Sequence, residues 1–173
     1  MAETDLERRV AELERRLAAL EEAAGGAAPA AESRPSEGDF WALQGLKEWL
    51  EPAGPGGGVL YTGAVQLPTE ERYEWQYAAL TDTLLDADWS LAAESFAALG
   101  HAVRLRLLRE ILAGRRTAAE LADLEGLGTT GQIYHHLRLL TAAGWLRTVG
   151  RGRYEVPGGR VVPLLVCLTA ARP

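Results

Sequence analysis

Along residues 117–143 (TAAELADLEGLGTTGQIYHHLRLLTAA) apolar side chains recur at helical spacing in two blocks separated by glycine. Ala118, Leu121 and Ala122 form a short stripe behind Thr117, and Glu120 stands three residues after that threonine, as in a capping box. Gly126 and Gly128 interrupt the pattern. Thr129 opens the second block with Gln132 in the matching position, and Ile133, Leu137 and Leu140 then fall at i, i+4 and i+7 on one face. At about 100° per residue His135, Arg138 and Ala142 point the opposite way, with Tyr134 and Gln132 on the flanks. The pattern predicts a helix-turn-helix whose second helix carries a core stripe behind and a Thr/Gln/His/Arg surface in front. After Gly144, residues 145–149 (WLRTV) and 153–156 (RYEV) read as two short strands. The intervening GRG is a glycine-flanked turn with Arg151 at its tip and Arg153 beside it.

The rest of the chain is patterned in separate blocks. Residues 4–23 place Leu6, Val10, Leu13, Leu17 and Leu20 at alternating spacings of four and three, a heptad seam. In a parallel pair, Arg9 would meet Glu14 and Arg16 would meet Glu21 of the other strand. Under three heptads is marginal alone, so this coil needs dimerisation elsewhere. Residues 25–37 are rich in Gly, Ala, Pro and Ser and read as a linker. A helix is predicted over 38–50, capped by Asp39 and ended by EPAGPGGG. Strands follow at 58–67 and 72–78 around a turn at 67–71. Tyr73, Trp75 and Tyr77 alternate with Glu74 and Gln76 and share one face, which with Tyr61 makes an aromatic surface. Two readings stand beside each other, a pocket for a small-molecule effector and a packed aromatic mini-core. The second is favoured, because aromatic faces usually pack. Helices are predicted at 81–89, 90–101 and 102–114, the last with Leu105, Leu108 and Ile111 as core, and a final helix at 161–171 with Pro163 in its first turn. That final helix is apolar almost all round, which calls for burial on more than one side.

Composition changes this picture in two respects. A net charge of −6 over 173 residues argues at first against a nucleic-acid partner. The charge is segregated, however: residues 88–173 carry 11 arginines and no lysine against 7 acidic residues, and residues 1–87 carry 7 basic against 17 acidic. The half with the helix-turn-helix is the basic one. A single cysteine, Cys167, excludes an intramolecular disulfide and sits in an apolar run. The longest apolar run, 161–171, is far short of the ~20 residues of a membrane span, so a cytoplasmic protein with no membrane partner is expected. The Ala/Arg/Gly/Leu bias, with Lys47 the only lysine, is that of a high-GC genome such as an actinobacterial one.

Taken together, FAALGHAVRLRLLREIL (96–112), the helix-turn-helix, HHLRLL, AAGWLR and the GRGRYEV hairpin resemble the ArsR-type (ArsR/SmtB-like) bacterial winged-helix regulators, over about half the chain, from near Trp89 to near Arg172. The sequence departs from that family in its glycine-rich turn and at Gly131, where a polar residue is usual. The resemblance implies a mainly α fold with small β-hairpins, a winged helix-turn-helix over 88–173 dimerised through its last and first helices. The coiled-coil helix (1–24), the linker (25–37) and a helix-plus-hairpin extension (38–87) precede it. It implies a homodimeric transcriptional repressor on a pseudo-palindromic double-stranded DNA operator. Thr129, Thr130, Gln132, Tyr134, His135 and Arg138 would face the major groove, and Arg151 and Arg153 would grip the backbone or minor groove. Many members sense metals through paired cysteines on the helix-turn-helix or Asp/His sets on the last helix; this chain has neither, and no metal or cofactor is expected. No phosphate loop, dinucleotide fingerprint or nucleophile elbow appears, so an enzyme is not expected. The alternative is a protein-interaction scaffold whose winged helix no longer reads DNA, with the acidic first half as its working surface.

Overall fold

The computed structural model describes residues 9, 10, 12–16, 40–150 and 152–172. Two compact units are present, Met1–Gln44 and Gly45–Pro173. In the first, residues 9, 10 and 12–16 are helical. Glu12 holds Arg15 at 2.9 Å and Arg16 at 3.2 Å within that helix. Val10 and Leu13 of the heptad seam are exposed. Its other seam positions, the cross-strand partner Glu21, the linker and the Asp39 cap lie outside the described residues.

Described elements run α1 (Trp41–Leu50), a 3-10 turn (Glu51–Ala53), β1 (Gly58–Gln66), β2 (Arg72–Leu80), α2 (Thr81–Asp86), α3 (Ser90–Leu99), α4 (Ala102–Leu112), α5 (Ala118–Ala122), α6 (Thr130–Ala142), β3 (Arg147–Thr148), β4 (Tyr154–Glu155) and α7 (Gly158–Ala170). The chain is mostly helical, with two small antiparallel two-stranded sheets, β1–β2 and β3–β4. No described helix is long and apolar enough to cross a membrane.

The core of the second unit gathers Leu107, Leu108 and Ile111 of α4, Leu121 of α5, Leu127 of the turn, Ile133, Leu137 and Leu140 of α6, and Val161 and Leu164 of α7. In α4 the inward positions are Leu107, Leu108 and Ile111, while Leu105, expected in the core, packs only at its margin. Glu110 is the one buried charged residue described; Arg109 at 2.8 Å and Arg115 pair with it. Those guanidiniums, Arg109 first, hold its carboxyl below the usual range.

Four elements differ from the sequence pattern in ways that packing and pairing explain. β2 extends to Leu80 because Ala79 and Leu80 pair with Val59 and Gly58. The strands expected at 145–149 and 153–156 shrink to two residues each. Trp145 and Leu146 turn into the core, and both backbone amides donate to the Leu140 carbonyl at the end of α6, so they cannot join the ladder. The last helix starts at Gly158, which puts Pro163 in its second turn rather than its first. Pro163 has no N–H for the Gly159 carbonyl four residues earlier, so the helix goes without that bond.

The apolar surface of the first half of that helix is covered within the chain. Val161 and Leu164 face the core, and Val162 meets the β1–β2 hairpin at Gly63, where a Cβ would sit 2.7 Å from Val162 Cγ1. At the helix start, Tyr73 lies against Gly158 and Trp75 against Gly159. The hairpin extension therefore supplies the second side of burial.

Candidate nucleic-acid interface

Both capping boxes form. The Thr117 hydroxyl accepts from Glu120 N, and the Glu120 carboxylate accepts from Thr117 N at 2.8 Å. That hydroxyl, ahead of the backbone amide, holds the Glu120 carboxyl below its ordinary range. At α6 the Thr129 hydroxyl accepts from Gln132 N, while Gln132 Oε1 accepts from Thr129 N at 2.8 Å. The turn between the helices needs its glycines. Gly126 (φ +78°) and Gly128 (φ +92°) are left-handed, and a Cβ at Gly128 would run into Gln132 Oε1. Between them Leu127 plugs the core at 2% exposure.

With Ile133, Leu137 and Leu140 fully buried, α6 is fixed in rotation. Thr130, Tyr134, His135 and Arg138 stand exposed on its outer side, as their spacing predicts. Thr129 and Gln132 are exposed too, but the threonine hydroxyl and the glutamine Oε1 are engaged in the cap. Capping explains these two residue types without invoking a ligand.

Arg153 is exposed on the β3–β4 hairpin, whose Gly150 and Gly152 are left-handed. Arg151 lies outside the described residues. Arg147 pairs with Glu155 across the ladder at 2.5 Å. Between α6 and this hairpin runs a cleft of about 520 Å³ lined by Tyr134, Arg138, Thr141, Ala142, Thr148 and Tyr154. Thr148 and Tyr154 join the site only in three dimensions; nothing in the linear pattern singles them out.

The aromatic set forms a second surface on the far side of the unit's last helix. Tyr61 and Tyr77 are directly paired across the strands, their rings 5.7 Å apart, while Tyr73 and Trp75 are partly covered by α7. An open groove of about 430 Å³ runs between the hairpin and α7, lined by Tyr61, Gly63, Val65, Val162 and Leu165 among others. The face thus both packs and leaves a concavity.

Sequence spacing gives no sign that the three histidines meet, yet they do. The His101 and His136 rings lie 4.7 Å apart, and His135 is 5.7 Å from His136. His101 caps α4, its Nδ1 accepting from Val103 N at 3.2 Å, while His136 Nδ1 is buried without a partner. Among the described residues no group of three His, Cys, Asp or Glu side chains is arranged to hold a metal ion. Desolvation first, then the charges of His101, Arg104 and His135, push the His136 imidazole below its ordinary value. A histidine depressed in the folded state leaves stability intact above the unfolded value, near 6.5, and erodes it as pH falls towards the folded one. The melting temperature of the parent should therefore fall between pH 7 and pH 5.5. His136→Leu should flatten that slope, and a slope unchanged in the variant would locate the acid sensitivity elsewhere.

No protein-family model matches this chain, and no curated protein matches it.

Proposed function

We propose that the chain is a sequence-specific DNA-binding transcriptional regulator of the winged helix-turn-helix kind, similar to ArsR-type repressors. It acts as a homodimer on a pseudo-palindromic operator. One observation carries the reading: α6 turns a fully buried Ile133/Leu137/Leu140 stripe inward and presents Tyr134, His135 and Arg138 outward, next to a short hairpin bearing exposed Arg153. A helix of this kind fits the major groove, and a basic hairpin beside it fits the flanking backbone. Selection of bound duplexes from a random pool tests the reading. Enrichment of a two-fold symmetric motif supports it, and recovery of unselected sequence at every salt concentration speaks for the scaffold alternative.

Within the second unit the first half of α7 is covered by the core and by the β1–β2 hairpin, while Leu168 stays 39% exposed, so a dimer through the last and first helices draws on a further apolar surface. The segment 84–96 offers one. Leu91 is 82% exposed, Trp89 67% and Phe96 65%. The double change Leu91→Glu with Phe96→Glu is expected to weaken dimerisation by about 100-fold or more, the loss of two buried apolar side chains. Light scattering would then report a monomer, and the melting temperature would no longer depend on protein concentration. A dimer persisting in that variant would place the interface elsewhere.

A further inference from the structure

Besides packing on α7, the β1–β2 hairpin reaches the loop that enters α5. Its turn closes through Leu67 N to Glu71 O and Glu70 N to Leu67 O, both at 2.9 Å, and Leu67 is buried in the core cluster. The turn thereby sets Thr69 and Glu71 against the loop that enters α5. Thr69 Cγ2 lies 3.1 Å from where a Cβ on Gly114 would stand, and Gly114 is left-handed at φ +105°. The Thr69 hydroxyl donates to Glu71 Oε2 at 2.7 Å. The same carboxylate pairs with Arg116, 45 residues away, whose side chain is only 18% exposed.

Arg116 is bonded in three directions. Its side chain takes the hairpin turn. Its backbone N–H donates to Glu120 Oε2 at 3.0 Å, joining the α5 capping box. Its carbonyl accepts from Tyr154 N at 2.6 Å, tying down β4, and the next residue, Thr117, bridges to Arg153. The backbone carrying the exposed arginine is thus anchored to residue 116, and residue 116 is anchored to the extension.

We propose that the β1–β2 hairpin is a brace that fixes the β3–β4 wing through Glu71 and Arg116, making Glu71 a positioning residue for the DNA contact of Arg153. The proposal rests on the DNA-binding reading for its purpose, but not for its mechanics. The brace is charge-assisted and well shielded on the arginine side, so losing the charge loosens the wing without opening the core. Each partner acts through the other, so their removals should not add.

Hydrogen exchange on the full chain, followed residue by residue, tests the mechanics without DNA. Glu71→Gln keeps the size and an acceptor for Thr69 but removes the charge. It should lower the protection of the Tyr154 amide about three- to tenfold, the difference between a charge-assisted bond and a neutral one. Protection of Ile133 and Leu137 should be unchanged. Arg116→Gln should do the same, and the double variant should do no more than either. An unaffected Tyr154 amide in both single variants, or additive losses, would overturn the brace. Titration of duplex DNA supplies the second arm. In Glu71→Gln, affinity for selected and random duplexes should fall by one common factor, no larger than that of Arg153→Ala. If Arg153→Ala weakens binding and Glu71→Gln does not, the brace has no part in DNA contact. A parent that binds no duplex at all sinks the functional reading, while the exchange arm still decides the brace.

Discussion

Leu137→Ala is expected to lower the free energy of unfolding by about 2–5 kcal/mol, whereas Leu139→Ala, two residues on, should cost less than about 1 kcal/mol. Leu137 has no exposed surface, while Leu139 is 38% exposed. Truncating the first removes buried methyl groups and leaves a cavity among Ile133, Leu140 and Leu121, whose positions the surrounding helices fix. Truncating the second removes atoms that already meet water. Against a total stability of the usual 5–15 kcal/mol, the first loss is a large share. Urea unfolding measures both, and the midpoint should move with the slope unchanged. The contrast reads the rotational phase of α6 without any ligand. Equal losses would mean that the helix is turned from the orientation described, and the outward placement of Tyr134, His135 and Arg138 would go with it.

His135→Ala and Arg138→Ala should each weaken binding to a selected operator by about 5- to 150-fold, the ~1–3 kcal/mol of a specific base contact. Their effect on random duplex should be much smaller, because that complex does not form the contact. Arg153→Ala should behave differently. A guanidinium that follows the left-handed glycines of the hairpin turn is expected to meet phosphates, which carry no direct sequence information, so both duplexes should lose affinity alike. The slope of log affinity against log salt should become shallower by about 0.9 for each phosphate contact removed. Anisotropy titrations at two salt concentrations separate the cases. His135 needs a folding control because its ring also lies near His136. Equal losses on both duplexes for His135→Ala would make it a backbone contact, and no loss for any of the three would favour the scaffold reading.

Local rules in the sequence carry over well where the backbone alone decides. Thr117 with Glu120 and Thr129 with Gln132 mark helix starts because a side chain three residues away can satisfy an orphan amide, and both boxes form. The Ile133–Leu137–Leu140 stripe is buried as its spacing requires. The glycine-rich turn, a departure from the resembled family, follows from two left-handed positions around Leu127. What periodicity does not reveal is competition for a residue. Trp145 reads as strand, but its ring is buried and its Nε1 donates to the Ser95 carbonyl at 3.0 Å, so tertiary packing overrides the alternation. Gln132 reads as a groove residue, while its oxygen is held by the cap. The meeting of His101 with His136, and of Glu71 with Arg116, depends on which elements fold against each other, and no one-dimensional spacing encodes that.

The seating of Val162 in the notch at Gly63 also has a bearing on how the chain reaches its fold. These two residues are about one hundred positions apart, so the hairpin is synthesised well before the helix that covers it. Closing so long a loop costs little more in entropy than closing a moderate one, but it slows the search. Until α7 arrives, the nascent chain displays a two-stranded ribbon with open edges and an uncovered Tyr/Trp/Val face, a form that is marginal in water and prone to pair with its like. Substitutions that delay α7 are expected to show first as inclusion bodies, with the melting curve of the soluble fraction unchanged.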